Sequence, residues 1–319
     1  MIDYALYHFM KSRPPSIHKA FEKISCNLCG STEAEVLYPS TLPQDLSVAV
    51  TKRFAPADHV SGNDTIVKCT RCGLVYVNPR MKREFVWQGY SQAIDTKYAT
   101  QTEGRLATFQ RAVRMIEGYV PKKGRLLDVG CAAGYFLKVA RDAGWKVQGI
   151  EPNRGLAAWG SKEYGVPISS KDFLASDLSG RSFDVVTFWD VLEHVTDPKA
   201  YIREATRILK PGGFLFINYP DMGSIFSKIF KQKWWFVSPV HLYYFDRMTL
   251  EQYFEEEGLQ FVKQNRHWQT LALGYLFARF ADYSKPISNI GKRVVTTVGL
   301  ANVPMRYYAG QAVAVAEKL

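Results

Sequence analysis

The stretch Leu126-Leu-Asp-Val-Gly-Cys-Ala-Ala-Gly134 decides the fold of this chain of 319 residues. A short apolar run precedes an acidic residue, and small residues then follow. The run predicts a buried strand, and the glycines predict a tight turn in which backbone N–H groups approach a ligand without a Cβ atom in the way. A second apolar run ends at Glu151, where a carboxylate can accept hydrogen bonds from both hydroxyls of a ribose. These features predict a nucleotide-type binding site.

Strand patterns and helical patterns alternate beyond this stretch. Strands are predicted at residues 125–129, 146–150, 166–169, 183–189, 214–218, 259–264 and 312–316, and helices at residues 135–143, 155–164 and 198–209. This alternation predicts an α/β fold whose parallel sheet carries helices on both faces. Ligands of such sheets bind at the carboxyl ends of the strands, where Gly130, Gly134 and Glu151 lie. Asp172 and Phe173, just beyond the third strand, are expected to contact an adenine amino group and to pack on its ring.

The chain carries 41 Lys and Arg residues against 30 Asp and Glu residues, a net charge of +11. A basic balance suits RNA, anionic membrane surfaces or acidic substrates, although a solvated surface with a mild excess of charge explains it as well. The N-terminus lacks the pattern of a signal peptide, and no apolar run reaches the ~18–20 residues of a transmembrane helix. We therefore expect a cytoplasmic protein that is at most peripheral to a membrane.

Four of the five cysteines form two Cys-x-x-Cys pairs, Cys26 with Cys29 and Cys69 with Cys72. In a chain without an export signal, this spacing predicts a metal site with four thiolates rather than disulfides. Zinc is the expected ion, iron is the alternative, and free thiols are the remaining interpretation. A closed site of four cysteines has no open coordination position, so we expect its role to be structural or related to recognition. Residues 1–80 are accordingly predicted to form a zinc-ribbon-like module with an N-terminal lead-in.

The motifs after residue 100 resemble those of class I S-adenosylmethionine-dependent methyltransferases. The matching segments occur in the family's order: Asp128-Val-Gly-Cys-Ala-Ala-Gly134, Gly149-Ile-Glu-Pro-Asn153, Phe183-Asp-Val-Val-Thr-Phe-Trp-Asp-Val-Leu-Glu-His-Val195 and Leu209-Lys-Pro-Gly-Gly-Phe-Leu-Phe-Ile217. One departure is Ala132, where many members carry glycine. The resemblance implies a Rossmann-like, doubly wound sheet of seven strands within residues 81–319, with S-adenosyl-L-methionine as cofactor. The cofactor-binding residues are then expected to be Asp128, Gly130, Gly134, Glu151, Asp172, Phe173 and Trp189. A nicotinamide cofactor is the alternative for this fold, but residues 128–134 lack its Gly-x-Gly-x-x-Gly pattern.

Methyl transfer to a hydroxyl or amine needs a group that removes the acceptor's proton. The catalytic candidates are Asp190, His194 and His241, and Glu193 lies beside them in the sequence. The segment Asp190-Val-Leu-Glu193-His194 resembles the Glu-x-x-Glu-His segment of ubiquinone-pathway O-methyltransferases, which is associated there with a divalent metal; here Asp replaces the first Glu. The alternative is that Glu193 and His194 cap a helix and bond to backbone. His241 opens a His-Leu-aromatic segment similar to those that face the acceptor pocket in small-molecule methyltransferases, and a packed structural histidine is its alternative.

Two segments late in the domain, near residues 220–257 and 265–310, are predicted to be substrate-lid insertions. The stretches 227–236 and 283–310 mix lysine, arginine and aromatic residues and contain no acidic residue. This composition fits an interfacial element that meets a lipid-linked or anionic substrate, an RNA-contacting surface, or a lid with its own small core. The leading hypothesis is a methyltransferase for a small-molecule, sugar or lipid-linked acceptor, because the insertions would enclose a small acceptor. An RNA methyltransferase that grips its substrate with the zinc ribbon, and a non-catalytic cofactor-binding protein, are the alternatives. The cysteine module itself resembles zinc-ribbon extensions of some sugar C-methyltransferases and ribosomal-RNA methyltransferases.

Overall fold

The computed structural model describes residues 20–42, 62–92, 102–279, 281 and 284–319. Most of the predicted N-terminal lead-in, residues 1–19, lies outside this part of the chain. The first elements are β1 (Phe21–Glu22), β2 (Ala34–Tyr38), β3 (Ile66–Cys69), β4 (Val75–Val77), β5 (Arg80–Met81), α1 (Arg83–Gln92) and α2 (Thr102–Tyr119). Cys26 and Cys29 lie between β1 and β2, Cys69 ends β3, and Cys72 lies in the turn between β3 and β4.

A regular alternation of strands and helices follows. Its elements are β6 (Arg125–Val129), α3 (Tyr135–Asp142), β7 (Lys146–Ile150), α4 (Arg154–Tyr164), β8 (Ile168–Ser169), β9 (Phe183–Trp189), α5 (Pro198–Ile208) and β10 (Leu209–Pro220). The remaining elements are α6 (Ile225–Phe230), β11 (Tyr243–Tyr244), α7 (Arg247–Glu256), β12 (Leu259–Arg266), β13 (Gln269–Ala272), α8 (Leu273–Arg279), α9 (Lys285–Thr297), β14 (Pro304–Tyr307) and β15 (Gln311–Lys318). The two predicted insertions therefore contain both helices and short strands.

Seven strands form the central sheet, in the order β12-β15-β10-β9-β6-β7-β8. The five strands from β10 to β8 are parallel, and β15 runs antiparallel to both of its neighbours. This arrangement confirms the predicted seven-stranded α/β sheet. It also brings the carboxyl ends of β6, β7 and β9 to one edge of the sheet, where the predicted cofactor residues lie.

Both faces of the sheet are buried, which explains the nearly continuous apolar strands. Leu126 joins the core that α2 and α3 cover, whereas the next residue, Leu127, joins the core on the opposite face. Successive side chains of a strand alternate in this way between the two faces. Because β6 lies between β9 and β7, the start of the turn that follows it is held in place by strands on both sides.

One local prediction needs correction. Strand β10 begins at Leu209 instead of residue 214, because residues 210–213 form an irregularity within the strand.

Asp246 caps helix α7. Its carboxylate accepts the Thr249 N–H at 2.8 Å, and Thr249 Oγ1 accepts the Asp246 N–H at 3.1 Å. These reciprocal bonds form a capping box.

The cysteine-bearing strands pack directly against the larger domain. Strand β11, from the first predicted insertion, pairs antiparallel with β4 and extends a sheet of order β11-β4-β3-β2. The Leu242 carbonyl also accepts the Val77 N–H at 2.9 Å. The sequence boundary at residue 80 is therefore crossed by backbone hydrogen bonds. Among the described residues, no helix combines the length and apolar character that crossing a bilayer requires.

Candidate cofactor and acceptor site

The turn after β6 has the backbone conformation that the glycine spacing predicts. Gly130 and Gly134 have φ values of +71° and +77°. A Cβ atom on Gly130 would lie 2.5 Å from Val191 Cγ2, so only glycine fits there. Ala132 adopts φ +47°, a left-handed conformation that costs an L-residue roughly 1–2 kcal/mol. The turn therefore keeps a strained alanine where the resemblance leads one to expect glycine.

Glu151 holds this turn in place from the end of β7. Its Oε2 atom accepts the Ala132 N–H and its Oε1 atom accepts the Asn153 N–H, both at 2.8 Å. The side chain is buried, and burial raises its pKa although the two N–H groups oppose the shift. A carboxylate offers about four lone-pair positions, so each oxygen retains one for a further donor. The geometry fits the predicted acceptor of ribose hydroxyls.

Asp128 lies beneath the turn and does not reach the surface. Its carboxylate is 2 % exposed, and Oδ1 accepts a hydrogen bond from Thr187 Oγ1 at 2.7 Å. Burial raises the pKa of Asp128 well above its usual range. The contact joins β6 to β9 below the glycine turn, so Asp128 supports the site in this conformation and its predicted contact with a cofactor stays a prediction.

The two residues predicted to meet an adenine occupy different surroundings. Asp172 Oδ1 caps a short 3-10 turn by accepting the Leu174 N–H at 3.0 Å, and Oδ2 forms an ion pair with Arg83 of α1. Phe173 is 1 % exposed and packs against Phe188, with ring centroids 6.0 Å apart. The structure thus places Phe173 in the core rather than on the wall of the site, because its ring packs against Phe188 and Tyr201.

Trp189 also points into the aromatic core. Its ring lies 5.2 Å from Phe136 and 5.8 Å from His267, measured between centroids. The indole N–H is buried and has no hydrogen-bond partner within the described ranges. A bound group that accepts a hydrogen bond would satisfy this donor.

Asp190, the next residue, is exposed and carries the unusual backbone conformation of φ +54°. Its Oδ1 atom accepts hydrogen bonds from Asn218 on β10 and Gln311 on β15, both at 2.6 Å. Desolvation by the surrounding protein raises its pKa to about 6, while the nearby charges of Arg105 and Arg279 oppose the shift. Strained conformations held by fixed partners are concentrated at functional sites. Asp190 is the candidate base that the structure leaves open to a ligand.

Glu193, His194 and His241 converge although the two histidines lie 47 positions apart in the sequence. One donor atom from each residue lies within 4.8 Å of the others, and the two imidazole centroids are 4.6 Å apart. Glu193 is 1 % exposed, and its Oε2 atom has no hydrogen-bond partner in the part of the chain described.

The histidines in this cluster are neutral. Burial lowers the pKa of His194 to about 4 and that of His241 well below its usual range. His241 Nδ1 donates to the Phe236 carbonyl at 2.7 Å, so its Nε2 atom keeps a lone pair. The neutral imidazoles can therefore provide ligands for a divalent cation, whereas burial makes either one a weak proton acceptor. The alternative that Glu193 and His194 cap a helix is wrong, since α5 begins at Pro198 and Asp197 caps it. Its other part, bonding to backbone, is confirmed for His194, whose Nδ1 lies 3.0 Å from the Val240 carbonyl oxygen.

Helix α1 adds a residue that the sequence patterns do not mark. The Tyr90 hydroxyl lies 2.6 Å from His194 Nδ1, and the Tyr90 carbonyl accepts a hydrogen bond from Asn153 Nδ2 at 3.2 Å. Helix α1 therefore links the end of β7 to the histidine cluster. Residues 83–92 show only helical periodicity, and no motif distinguishes Tyr90 from the other aromatic residues of that helix.

The four cysteines of the two Cys-x-x-Cys pairs come together as predicted. Their sulfur atoms all lie within 4.8 Å of one another, and two cross-pairs, Cys26 with Cys72 and Cys29 with Cys69, are 3.5 Å apart. Tetrahedral zinc with bonds of 2.3 Å would separate its sulfur ligands by about 3.8 Å. Burial raises the pKa of Cys26 to about 11, which favours the thiol unless a cation is bound. The donor set and its spacing fit a structural zinc ion.

The fold and the glycine turn define a Rossmann-like α/β domain with a site at the carboxyl ends of its strands. A family model described as "Methyltransferase domain" matches residues 98–264, which is more than half of the chain. The chain therefore belongs to this methyltransferase family, and the resemblance to methyltransferases is confirmed.

Individual relatives share the same region. The chain is 37 % identical over 110 residues to "Ubiquinone biosynthesis O-methyltransferase" of Ralstonia nicotianae, an alignment of 32 % of this chain and 46 % of that protein. A protein of the same name from Xanthomonas axonopodis pv. citri is 40 % identical over 105 residues, or 31 % of this chain and 44 % of that protein. The chain thus spans less than half the length of these relatives.

Solved structures resemble the chain more distantly. An S-adenosylmethionine-dependent methyltransferase from Archaeoglobus fulgidus aligns with a TM-score of 0.48 at 16 % identity, over 70 % of this chain and 100 % of that chain. A methyltransferase from Thermotoga maritima, described as a possible histamine N-methyltransferase, aligns with a TM-score of 0.47 at 20 % identity, over 68 % and 91 %.

Proposed function

We propose that this chain is an S-adenosylmethionine-dependent methyltransferase that acts on a hydroxyl group of a small acceptor. The observation that carries the proposal is the pairing of the Gly130–Gly134 turn with the Glu151 carboxylate at the end of the neighbouring strand. The turn provides close backbone approach, and the carboxylate provides acceptors for a ribose. A sulfonium cofactor bound there supplies an electrophilic methyl group.

The residues of the chain would then align the reactants and handle one proton. Displacement at a methyl carbon requires the acceptor oxygen in line with the leaving sulfur, so positioning contributes much of the rate. Asp190 is exposed beside the turn and is anionic above pH of about 6, which suits a general base. His241 and His194, both neutral, are the alternative proton acceptors.

The acceptor class rests on two considerations. The curated relatives are named as O-methyltransferases of ubiquinone biosynthesis, which suggests a hydroxyl acceptor for this chain as well. The charges of Arg105 and Arg279 act on Asp190, so an acceptor that carries an anionic group would find cations near the reacting centre. Sugar and lipid-linked acceptors fit these requirements.

The proposal also includes a division into two domains and a metal ion bound by the four cysteines. We infer that residues 1–80 form a zinc-ribbon-like module and residues 81–319 the methyltransferase domain. The converging sulfur atoms of Cys26, Cys29, Cys69 and Cys72 support zinc, with iron as the alternative. Because four cysteines complete the coordination of such an ion, its role would be to fix the short strands and not to take part in transfer.

An RNA substrate is the second candidate, and one observation favours it. A broad open groove beside the cysteines is lined by Lys23, Arg71, Arg80 and Lys199. Two of these cations already have partners, since Arg80 pairs with Glu22 and Lys199 with Glu256. The groove therefore offers less free charge than its composition suggests, and we place RNA second.

Calorimetry with S-adenosylmethionine tests the cofactor site, and a screen with a radiolabelled methyl donor tests the acceptor. We expect saturable binding of the cofactor and label transfer to hydroxyl-bearing sugars or lipid-linked intermediates. Transfer to RNA with a steep dependence on salt would favour the second candidate. Absence of cofactor binding by the folded protein would instead favour a non-catalytic role and contradict the proposal.

A further inference from the structure

Helix α9 turns its large apolar side chains to solvent. The exposed fractions are 58 % for Ile287, 65 % for Ile290 and 54 % for Val294 within the helix, and 58 % for Val298, the residue directly after its last turn. Steps of three, four and four residues place these side chains on one stripe of a helix of 3.6 residues per turn. If α9 only completed the hydrophobic core, this apolar stripe would face the protein interior.

The side of α9 that packs against the protein carries buried residues. Ser288 is 2 % exposed and Val295 is 6 % exposed. Gly291 lies so close to α8 that a Cβ atom there would be 2.1 Å from the Phe277 ring. Ser288, Gly291 and Val295 therefore form the side of α9 that contacts the protein. This packing fixes the apolar stripe outward, so rotation of the helix cannot bury it without a clash.

The same helix carries positive charge on its polar face. Lys285, Lys292 and Arg293 are exposed there, and residues 284–310 contain no Asp or Glu. The apolar surface continues past the helix, where Leu300, Val303 and Met305 are each more than two-fifths exposed. A helix with an exposed apolar face and basic residues on its polar face is the pattern of an element that lies in the surface of an anionic membrane.

We propose that the α9 surface, defined as the stripe Ile287, Ile290, Val294 and Val298 with Lys285, Lys292 and Arg293, docks on an anionic lipid bilayer. Charge complementarity decides the partner: lipid phosphates attract the basic residues while the acyl boundary accepts the stripe. A second copy of the chain is the weaker candidate, because residues 284–310 offer no acidic side chain that could pair with these cations across a two-fold contact. The inference concerns a surface apart from the cofactor turn and does not depend on the proposed activity.

Vesicle sedimentation with the full chain tests the proposal. We expect binding to vesicles of phosphatidylcholine and phosphatidylglycerol in equal parts, weaker binding to phosphatidylcholine alone, and a decrease with added salt. The double variant Ile290→Ser with Val294→Ser should bind about tenfold more weakly, because it removes apolar area that would enter the lipid. The double variant Lys292→Gln with Arg293→Gln should weaken binding to the mixed vesicles by a similar factor and leave binding to phosphatidylcholine vesicles unchanged.

The control is Val36→Ser, which changes a residue of 61 % exposure on β2, away from the α9 surface. It should sediment with vesicles like the unchanged chain. Sedimentation with neither kind of vesicle would overturn the proposal, and so would unchanged binding of both double variants. A dimer that the Ile290→Ser and Val294→Ser changes dissociate would also overturn it, by showing that a second copy covers the stripe. Cofactor calorimetry on the same samples separates these outcomes from a failure of the proposed activity.

Discussion

Replacing Glu151 with Gln should weaken cofactor binding more than any other conservative change near the glycine turn. The Glu151 carboxylate accepts the Ala132 and Asn153 N–H groups and retains two lone pairs for the ribose. Glutamine keeps the shape but offers one oxygen and one NH₂ group. The NH₂ group would face a backbone N–H and could accept no hydrogen bond from a ribose hydroxyl.

The magnitude follows from these contacts. A hydrogen bond to a charged group contributes about 1.5–3 kcal/mol, so the loss of charge and of one acceptor should cost about 3 kcal/mol of binding free energy. Since 1.4 kcal/mol corresponds to a factor of ten, Kd for S-adenosylmethionine should rise about 100-fold or more. The unpaired backbone N–H should also lower the free energy of unfolding by about 1–3 kcal/mol.

Isothermal calorimetry measures the change in Kd, and thermal melting shows whether the variant remains folded at the assay temperature. Glu163→Gln is the matched control, because Glu163 is exposed on α4 and has the same chemistry. It should leave both quantities unchanged. A folded Glu151→Gln protein whose Kd stays within about threefold of the original value would refute the role of Glu151.

Four further changes test other parts of the structure. Cys69→Ser should abolish stoichiometric zinc, measured by elemental analysis, and lower Tm by about 5 °C or more, because bound metal stabilises only the folded state; retained metal would contradict the assignment. Because the pKa of Asp190 is raised to about 6, its carboxylate forms as pH rises through that value, so initial rates should climb to a plateau above about pH 7, and Asp190→Asn should remove the climb. Ala132→Gly should raise the free energy of unfolding by as much as about 1 kcal/mol by relieving the left-handed alanine, and a lower value in chemical denaturation would argue against strain. Gly160→Ala should destabilise by about 1–3 kcal/mol, because its Cβ would lie 2.5 Å from the Ala133 carbonyl oxygen, whereas Gly118→Ala, with no atom within 4 Å, should stabilise α2 slightly; equal effects would contradict the packing at Gly160.

Features with a local physical cause were predictable from the sequence. Buried strands are short apolar runs, tight turns need glycine, and two Cys-x-x-Cys pairs imply four converging sulfur atoms. The predicted strand of residues 183–189 has the same bounds in the structure. Glu151 was predictable as well, because the carboxyl end of a parallel strand is known once the strand is recognised.

Predictions failed where a contact with a residue distant in the sequence determines the position of a side chain. Phe173 was expected on the wall of the site, but Phe188 and Tyr201 take its ring into the core. An alternative interpretation had Glu193 and His194 as helix caps, yet α5 starts at Pro198, four residues after His194, and Asp197 caps it. Tyr90 had no distinguishing pattern, because its importance comes from α1 lying next to His194.

The amino-acid sequence alone determined the α/β alternation, the glycine turn with its carboxylate, and the pairing of the cysteines. Tertiary structure decided which side chains of those elements meet, such as His194 with His241, and which face of α9 is exposed. The physical reason is that periodicity shows that a helix has an apolar face, but only packing shows what that face contacts. In α9, the contact of Gly291 with Phe277 turns the small residues inward and leaves the apolar stripe exposed.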